Sequence, residues 1–257
     1  MDFFSAYFSA RNNVGHNGMK VTSAIVGALA LTLSMGSAQA TQIVVNGDFT
    51  QLSNGLGQLT TNTVATDWAT SGYNYVFNTA DQATQGQYGG LSLWDAANGG
   101  ASTWNGTTLS GSGNFVALDG DFGTAPITQT LNGLTVGKTY QLTFDYAFGQ
   151  QYNFNGATIQ NITAAIGGTS WTSSDFNVAN HGFTGWQSGK VDFTASSTSE
   201  VLSFLAYGNL PVPPFALIST VSVTAGVPEI STWAMLLAGF AGLGFVGYRR
   251  AKNRAVA

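Results

Sequence analysis

Three groups of residues have types and spacing that suit chemistry. Trp94–Asp95 and Trp104–Asn105 each set an indole beside a planar polar group, within the glycine-rich stretch 86–113. An indole face stacks on the apolar face of a sugar ring while a carboxylate or amide orients its hydroxyls. Both pairs are therefore candidate glycan contacts. Asp119–Gly120–Asp121 places two carboxylates about a glycine. Calcium takes oxygen ligands from flexible turns of this kind. The EF-hand spacing is absent, so calcium here is structural and draws further ligands from loops such as that of Asp48. The third group is what a hydrolase would use: His181 within Asn180-His181-Gly182, and Asp67, Asp95, Asp119, Asp121, Asp145 and Asp175. No nucleophile elbow accompanies the histidine, and six aspartates make pair spacing uninformative. Each group has a plainer competing reading. The tryptophans plug the core beneath long loops, as Trp68 and Trp186 are expected to do, the acidic turn merely joins two strands, and the loop histidine is ordinary surface.

Composition narrows these classes. The chain of 257 residues has no cysteine, which excludes disulfides, thiolate metal sites and a cysteine nucleophile. Only 8% of residues are charged, and the net charge is −4. Within residues 41–226 ten acids face two cations, Lys138 and Lys190, a net of −8. Nucleic acid is not a partner of such a surface, and anionic polymers are repelled; a neutral glycan meets no such penalty.

These residues must be positioned by elements between two organised ends. Residues 19–40 read as a secretory signal: Lys20, an apolar run from Ala24 to Leu31, and the small-x-small triplet Ala38-Gln39-Ala40. Cleavage is expected between Ala40 and Thr41 by signal peptidase, after passage through the secretion translocon. Residues 1–18 read as an upstream extension, and Met1 and Met19 both stand as starts. At the other end, Ile230 to Tyr248 carries no charge, and Arg249, Arg250, Lys252 and Arg254 follow. Nineteen residues at 1.5 Å each give about 28 Å of helix, near the thickness of a bilayer core. The expectation is a C-terminal transmembrane helix with its basic tail on the cytoplasmic side.

Residues 41–226 read as strands. Gln42–Phe49, Asn114–Leu118, Ala157–Ile166, Val191–Phe193, Val201–Leu205 and Ala216–Val223 are apolar or alternating runs. Tyr73, Tyr75 and Phe77 alternate with polar or small neighbours, as do Tyr140, Leu142, Phe144 and Tyr146. Period-two patterning with β-branched and aromatic residues predicts half-buried antiparallel strands. Gly133 and Gly137 predict turns with positive φ, and Asn46–Gly47 a turn. Pro211, Pro213 and Pro214 predict a loop before the last strand. The fold class expected is all-β, a single sandwich.

Two resemblances add to this. The stretch VPEISTWAMLLAGFAGLGFVGYRRAKNR, Val227 to Arg254, resembles the PEP-CTERM sorting signal of Gram-negative bacteria. Val227, Pro228, Glu229, Arg249 and Arg250 carry the likeness, and Ile230 stands where the family motif has proline. The resemblance implies an exosortase-type processing enzyme as partner, a precursor in the inner membrane and a mature form at the cell surface or outside the cell. IVVNGDF (43–49), GNFVALDG (113–120), ITQTLNGLTVGKTYQLTFDYA (127–147) and FALISTVSVTAG (215–226) resemble the ectodomains of that family. Those look like jelly-roll, galactose-binding-like modules, which implies association with exopolysaccharide or biofilm matrix. Ser219 and Thr220 replace an Asp-Asn pair common there. The function expected is a noncatalytic surface or matrix protein binding neutral glycans. Its alternatives are a purely structural matrix component and, more weakly, a carbohydrate-active hydrolase. No cofactor is expected apart from structural calcium.

Overall fold

The computed structural model describes residues 43–78, 91–95, 98–101, 114–209, 212–226, 236–245 and 248. Among these residues twelve strands follow in order: β1 (Gly57–Gln58), β2 (Ala69–Thr70), β3 (Tyr75–Asn78), β4 (Asn114–Asp119), β5 (Ile127–Asn132), β6 (Thr139–Gln150), β7 (Thr158–Ile166), β8 (Thr169–Thr172), β9 (Phe176–Val178), β10 (Gln187–Thr194), β11 (Ser199–Gly208) and β12 (Pro214–Ala225). One sheet runs β1-β3-β4-β12-β6-β10; the other runs β2-β5-β11-β7-β8, with β9 also paired to β7. Every pairing between named strands is antiparallel. From β4 to β7, and again from β10 to β12, consecutive strands alternate between the two sheets. That wrapping is the jelly-roll arrangement, and it closes a sandwich around one main core.

Alternation in sequence explains the core. Tyr140, Leu142, Phe144, Tyr146 and Phe148 of β6 point inward, and Ile162 and Ala164 of β7 and Leu202 and Phe204 of β11 meet them. Trp68 lies in this core beside Phe49 and Phe204, and its Nε1–H donates to Asn46 O at 3.0 Å. The first sheet also buries part of its outer face. Tyr75, Phe77, Phe115, Ala117, Phe215 and Leu217 form a second apolar cluster there with Leu91, Leu93 and Phe183, and Trp186 packs against it. Residues 91–95 and Ala101 are thereby fixed against the first sheet. Leu93 bridges to Gln151, and Trp94 N–H donates to Gln150 O at 2.9 Å.

Two expectations are corrected. The run Gln42–Phe49 is not a regular strand over its described residues. Its backbone lies along β12, with Ile43 N–H on Val223 O and Val221 N–H on Gly47 O. Asn46 and Phe49 take positive φ, and Phe49 N–H closes a turn on Asn46 O. Gln129 of β5 bonds both backbone groups of Val45, so the segment is laced to both sheets by isolated bonds rather than a ladder.

The second correction concerns Ile230–Tyr248. The described helix covers 236–245, and among the described residues no helix is long and apolar enough to cross a membrane. Gly239, Gly242 and Gly244 fall within 236–245, and each lowers helix propensity by about 1 kcal/mol relative to alanine. The transmembrane helix and the precursor held by it in the inner membrane are overturned with it. The signal residues Ala38, Ala40 and Thr41 and the motif residues Val227, Pro228, Glu229, Arg249 and Arg250 lie outside the described residues.

Candidate functional site

Three loops converge at the end of the sandwich where β6 finishes: the described residues 91–95 and 98–101, the β6–β7 loop, and the loop between β9 and β10. Gln150, fully buried at the end of β6, joins the latter two. Its Nε2 shares its two hydrogens among Gly156 O, Thr158 Oγ1 and Val178 O, and its Oε1 accepts Gly182 N–H. Asn180 Oδ1 accepts Gly156 N–H at 2.6 Å, a second tie between the same loops. A buried amide satisfied this fully makes the loops a fixed surface, because moving either would strand polar groups away from water.

His181 is the residue on which all three loops act. Its carbonyl accepts Ala101 N–H at 2.9 Å, and its Nε2–H donates to Asn155 Oδ1 at 2.6 Å. Its ring lies on Trp94, centroids 3.6 Å apart and planes 21° apart. Its φ is +57°, in a region that non-glycine residues seldom occupy. Phe154, exposed, adjoins Asn155 in the chain, and Tyr152, half-buried, lies edge-to-face with Trp94, centroids 4.6 Å apart. The result is a surface of rings and amides, Tyr152, Phe154, His181, Asn153, Asn155 and Asn180, without a charged side chain among them.

Trp94 itself is only 8% exposed. Its Nε1–H donates to Phe154 O at 2.9 Å, one face is under His181, and Tyr152 meets it edge-on. The indole supports the loop surface from beneath instead of offering a face to solvent. Asp95 is fully buried; its Oδ1 accepts Asn98 N–H, and its own N–H donates to Asn98 Oδ1, which closes a tight turn. Trp104 and Asn105 lie outside the described residues.

The Asp119–Asp121 turn closes on itself. Asp119 Oδ1 accepts the N–H groups of Asp121 and Phe122, and Oδ2 accepts that of Gly123. Both oxygens that calcium would need are engaged by backbone donors. Asp119 is buried, while Asp121 is exposed beyond the turn. Among the described residues no three His, Cys, Asp or Glu side chains come together as a metal site. The described partner of His181 is an amide, not a serine or carboxylate, so the constellation of a hydrolytic triad is not assembled around it. Tyr75, on the covered face of the first sheet, has its phenol pushed far up by burial and by the neighbouring Tyr73 hydroxyl, so it stays neutral.

Sequence reasoning missed Gln150, Tyr152, Phe154 and Asn155. They sit in a polar, aperiodic stretch, QQYNFNG, whose only local signal is one of turns. His181 reads in sequence as a lone loop histidine, with no signal that its φ is positive or that Trp94 lies beneath it.

No protein-family model matches the chain, and no curated protein matches it in sequence. Among solved structures, the chain is similar to TmCBM61 in complex with beta-1,4-galactotriose, with a TM-score of 0.42 and 10% identity over 72% of this chain and 99% of that one. It is similar to a CBM4 structure, with a TM-score of 0.34 and 15% identity over 71% and 99% of the two chains. The N-terminal cellulose-binding domain of Cellulomonas fimi beta-1,4-glucanase C follows at a TM-score of 0.28 and 15% identity, over 44% of this chain and 78% of that one. The architecture thus resembles carbohydrate-binding modules only loosely, and the jelly-roll description rests on the strand order of the chain itself.

Proposed function

We propose that this chain is an exported, noncatalytic module that binds neutral glycans through the loop surface around His181. The observation that carries the reading is the fixing of one imidazole by three loops, with an exposed phenyl ring and the amides of Asn153, Asn155 and Asn180 on the same loops. Ring faces stack on sugar faces, and planar amides orient hydroxyls. Such a surface is held in place before a ligand arrives, so little ordering is left to oppose binding. The charge of the domain supports neutral over anionic ligands, since ten acids face only two lysines in residues 41–226. Trp94 and Asp95 act as the support of the surface; Trp104 and Asn105 remain proposed contacts from the same stretch. Exopolysaccharide is the ligand class this implies. Handling of residues 19–40 by the translocon and signal peptidase, and processing near Val227–Glu229 by an exosortase-type enzyme, are proposed on the sequence pattern and resemblance alone.

The test is a panel of neutral and acidic polysaccharides titrated against the full chain and against Phe154→Ala and His181→Asn. Binding of a neutral glycan that both variants weaken, with melting little changed, is the expected result. Binding unaffected by either variant would remove the site.

A further inference from the structure

The turn that joins β4 to β5 presents a ring that the loop surface around His181 does not include. Phe122 is 82% exposed. Its backbone is pinned, because the buried Asp119 carboxylate accepts the N–H groups of Asp121, Phe122 and Gly123. Gly120 N–H donates to Pro214 O and Gly120 O accepts Gly208 N–H, both at 3.0 Å, while Gly123 O accepts Tyr73 N–H at 2.8 Å. A Cβ at Gly123 would stand 2.7 Å from Tyr73 Cβ, so the turn lies tight against that residue. The Tyr73 ring meets that of Phe122 nearly at right angles, centroids 5.7 Å apart. The exposed Asp121 precedes Phe122 in the chain.

Register places this turn at the same end of the sandwich as His181. Asp119, which ends β4, and Gly149, next to the end of β6, both stand opposite Phe215 of β12. They are therefore two strand spacings apart, about 10 Å. Gly120 N–H is bonded to Pro214 O and Gln151 N–H to Pro213 O, so the two prolines tie the β4–β5 turn to the β6–β7 loop. The outer apolar cluster of the first sheet underlies both groups. Tyr73 packs against it, and Leu93, beside Trp94, belongs to it.

A lone ring framed by a carboxylate and glycine backbone is too small an apolar area for a protein partner, which needs about 800 Å² per side. It matches one face of one sugar, whose hydroxyls donate charge-assisted hydrogen bonds to a carboxylate. The same carboxylate repels acidic sugars. We propose that Phe122 and Asp121 form a second sugar subsite, so that the ligand at this end of the domain is an internal stretch of a neutral polysaccharide chain lying across Pro213 and Pro214, not a monosaccharide or a chain tip. The inference rests on the glycan reading of the His181 surface and adds a length requirement to it. A chain that reaches both subsites makes its second contact intramolecularly, which raises affinity above that of either contact alone.

Calorimetric titration of the full chain with galactan, glucomannan and mixed-linkage β-glucan, and with the oligosaccharides of each from the monosaccharide upward, tests this. Affinity that climbs with chain length and then levels is the expected result for the parent. Phe122→Ala and Phe122→Leu should abolish the climb, lowering polysaccharide affinity by roughly tenfold or more while leaving the shortest ligand that binds unaffected. Phe122→Trp keeps a ring and should keep the climb. Leucine retains apolar bulk without a ring face, and a melting curve for each variant checks that the fold persists. Polysaccharide binding that survives Phe122→Ala but is lost in His181→Asn would overturn this proposal and leave the His181 surface standing. Equal weakening of short and long ligands would make Phe122 a support of the loops, and would overturn it too. Binding by none of these glycans would remove both readings.

Discussion

The imidazole of His181 lies flat on the indole of Trp94, centroids 3.6 Å apart. The two rings come from loops about ninety residues apart in sequence, and each is fixed by different partners: Trp94 by Phe154 O, His181 by Asn155 and Ala101. One ring is buried and the other meets solvent, so the pair divides support from recognition.

That division predicts opposite phenotypes. Trp94→Ala leaves a cavity beneath three loops and should cost about 3–5 kcal/mol of stability, the range for a buried aromatic residue. His181→Asn removes the ring but keeps a residue that tolerates positive φ. Its stability loss should be about 1 kcal/mol, the worth of one ring pair. Its loss of glycan affinity should be larger, about 2 kcal/mol or roughly thirtyfold. Urea unfolding and calorimetric titration of the two variants measure both quantities.

Asp119 tests whether its turn is closed by protein or by ion. Its carboxylate accepts three backbone N–H groups. Asp119→Ala strands those donors and should destabilise by about 3 kcal/mol or more, since hydrogen bonds to charged groups contribute about 1.5–3 kcal/mol each. Thermal melting of the parent in calcium and in chelator should coincide. A melting temperature raised by calcium would assign the turn an ion.

Glu200 gives a pH dependence of known sign. The Ser196 hydroxyl and backbone N–H, with the Ser197 N–H, hold its carboxyl below the ordinary 4.5. A depressed carboxylate contributes stability that is fully present above the unfolded value, and that stability is lost as pH falls through the folded one. Glu200→Gln should therefore melt lower than the parent at pH 7. The gap should close as pH drops below 4.5. A gap that stays constant with pH would point to packing rather than charge.

Gly47 tests how the opening segment is attached. A Cβ there would stand 1.9 Å from Val221 O, whereas one at Gly133 meets nothing within 4 Å. Gly47→Ala must push 43–49 off β12 and should cost about 3 kcal/mol, the upper part of the overpacking range. Gly133, at φ +81°, should lose only the left-handed penalty of about 1–2 kcal/mol on change to alanine. Equal losses at the two positions would mean that the close approach of the segment to β12 carries no weight.

The sheets were legible where one face of a strand is buried. Alternation at Tyr140–Tyr146 marks β6, which runs on through Phe148 to Gln150, and Val201–Leu205 marks the middle of β11. β8 and β9 escaped because three or four residues carry too little period to read. The opening Ile-Val-Val run looked like a strand because its residues are β-branched. It is held instead by a left-handed turn at Asn46 and by Gln129, two features with no periodic signal. Trp94 and Asp95 are types that suit sugars, which predicts a pair facing a ligand. Burial turned them into supports, and burial of a loop residue depends on which distant loops fold over it. The polar Gln150 hub ties together segments separated by up to 32 residues, so its role follows only from topology.

The most direct measurement is calorimetric titration of the full chain with a panel of neutral and acidic polysaccharides, alongside His181→Asn and Phe154→Ala. The account predicts saturable binding of a neutral glycan, insensitive to salt and weakened roughly thirtyfold or more in each variant while the melting temperature is nearly kept. Failure of every neutral polysaccharide to bind the parent, or binding that survives both substitutions, would contradict it and leave a purely structural role for the domain.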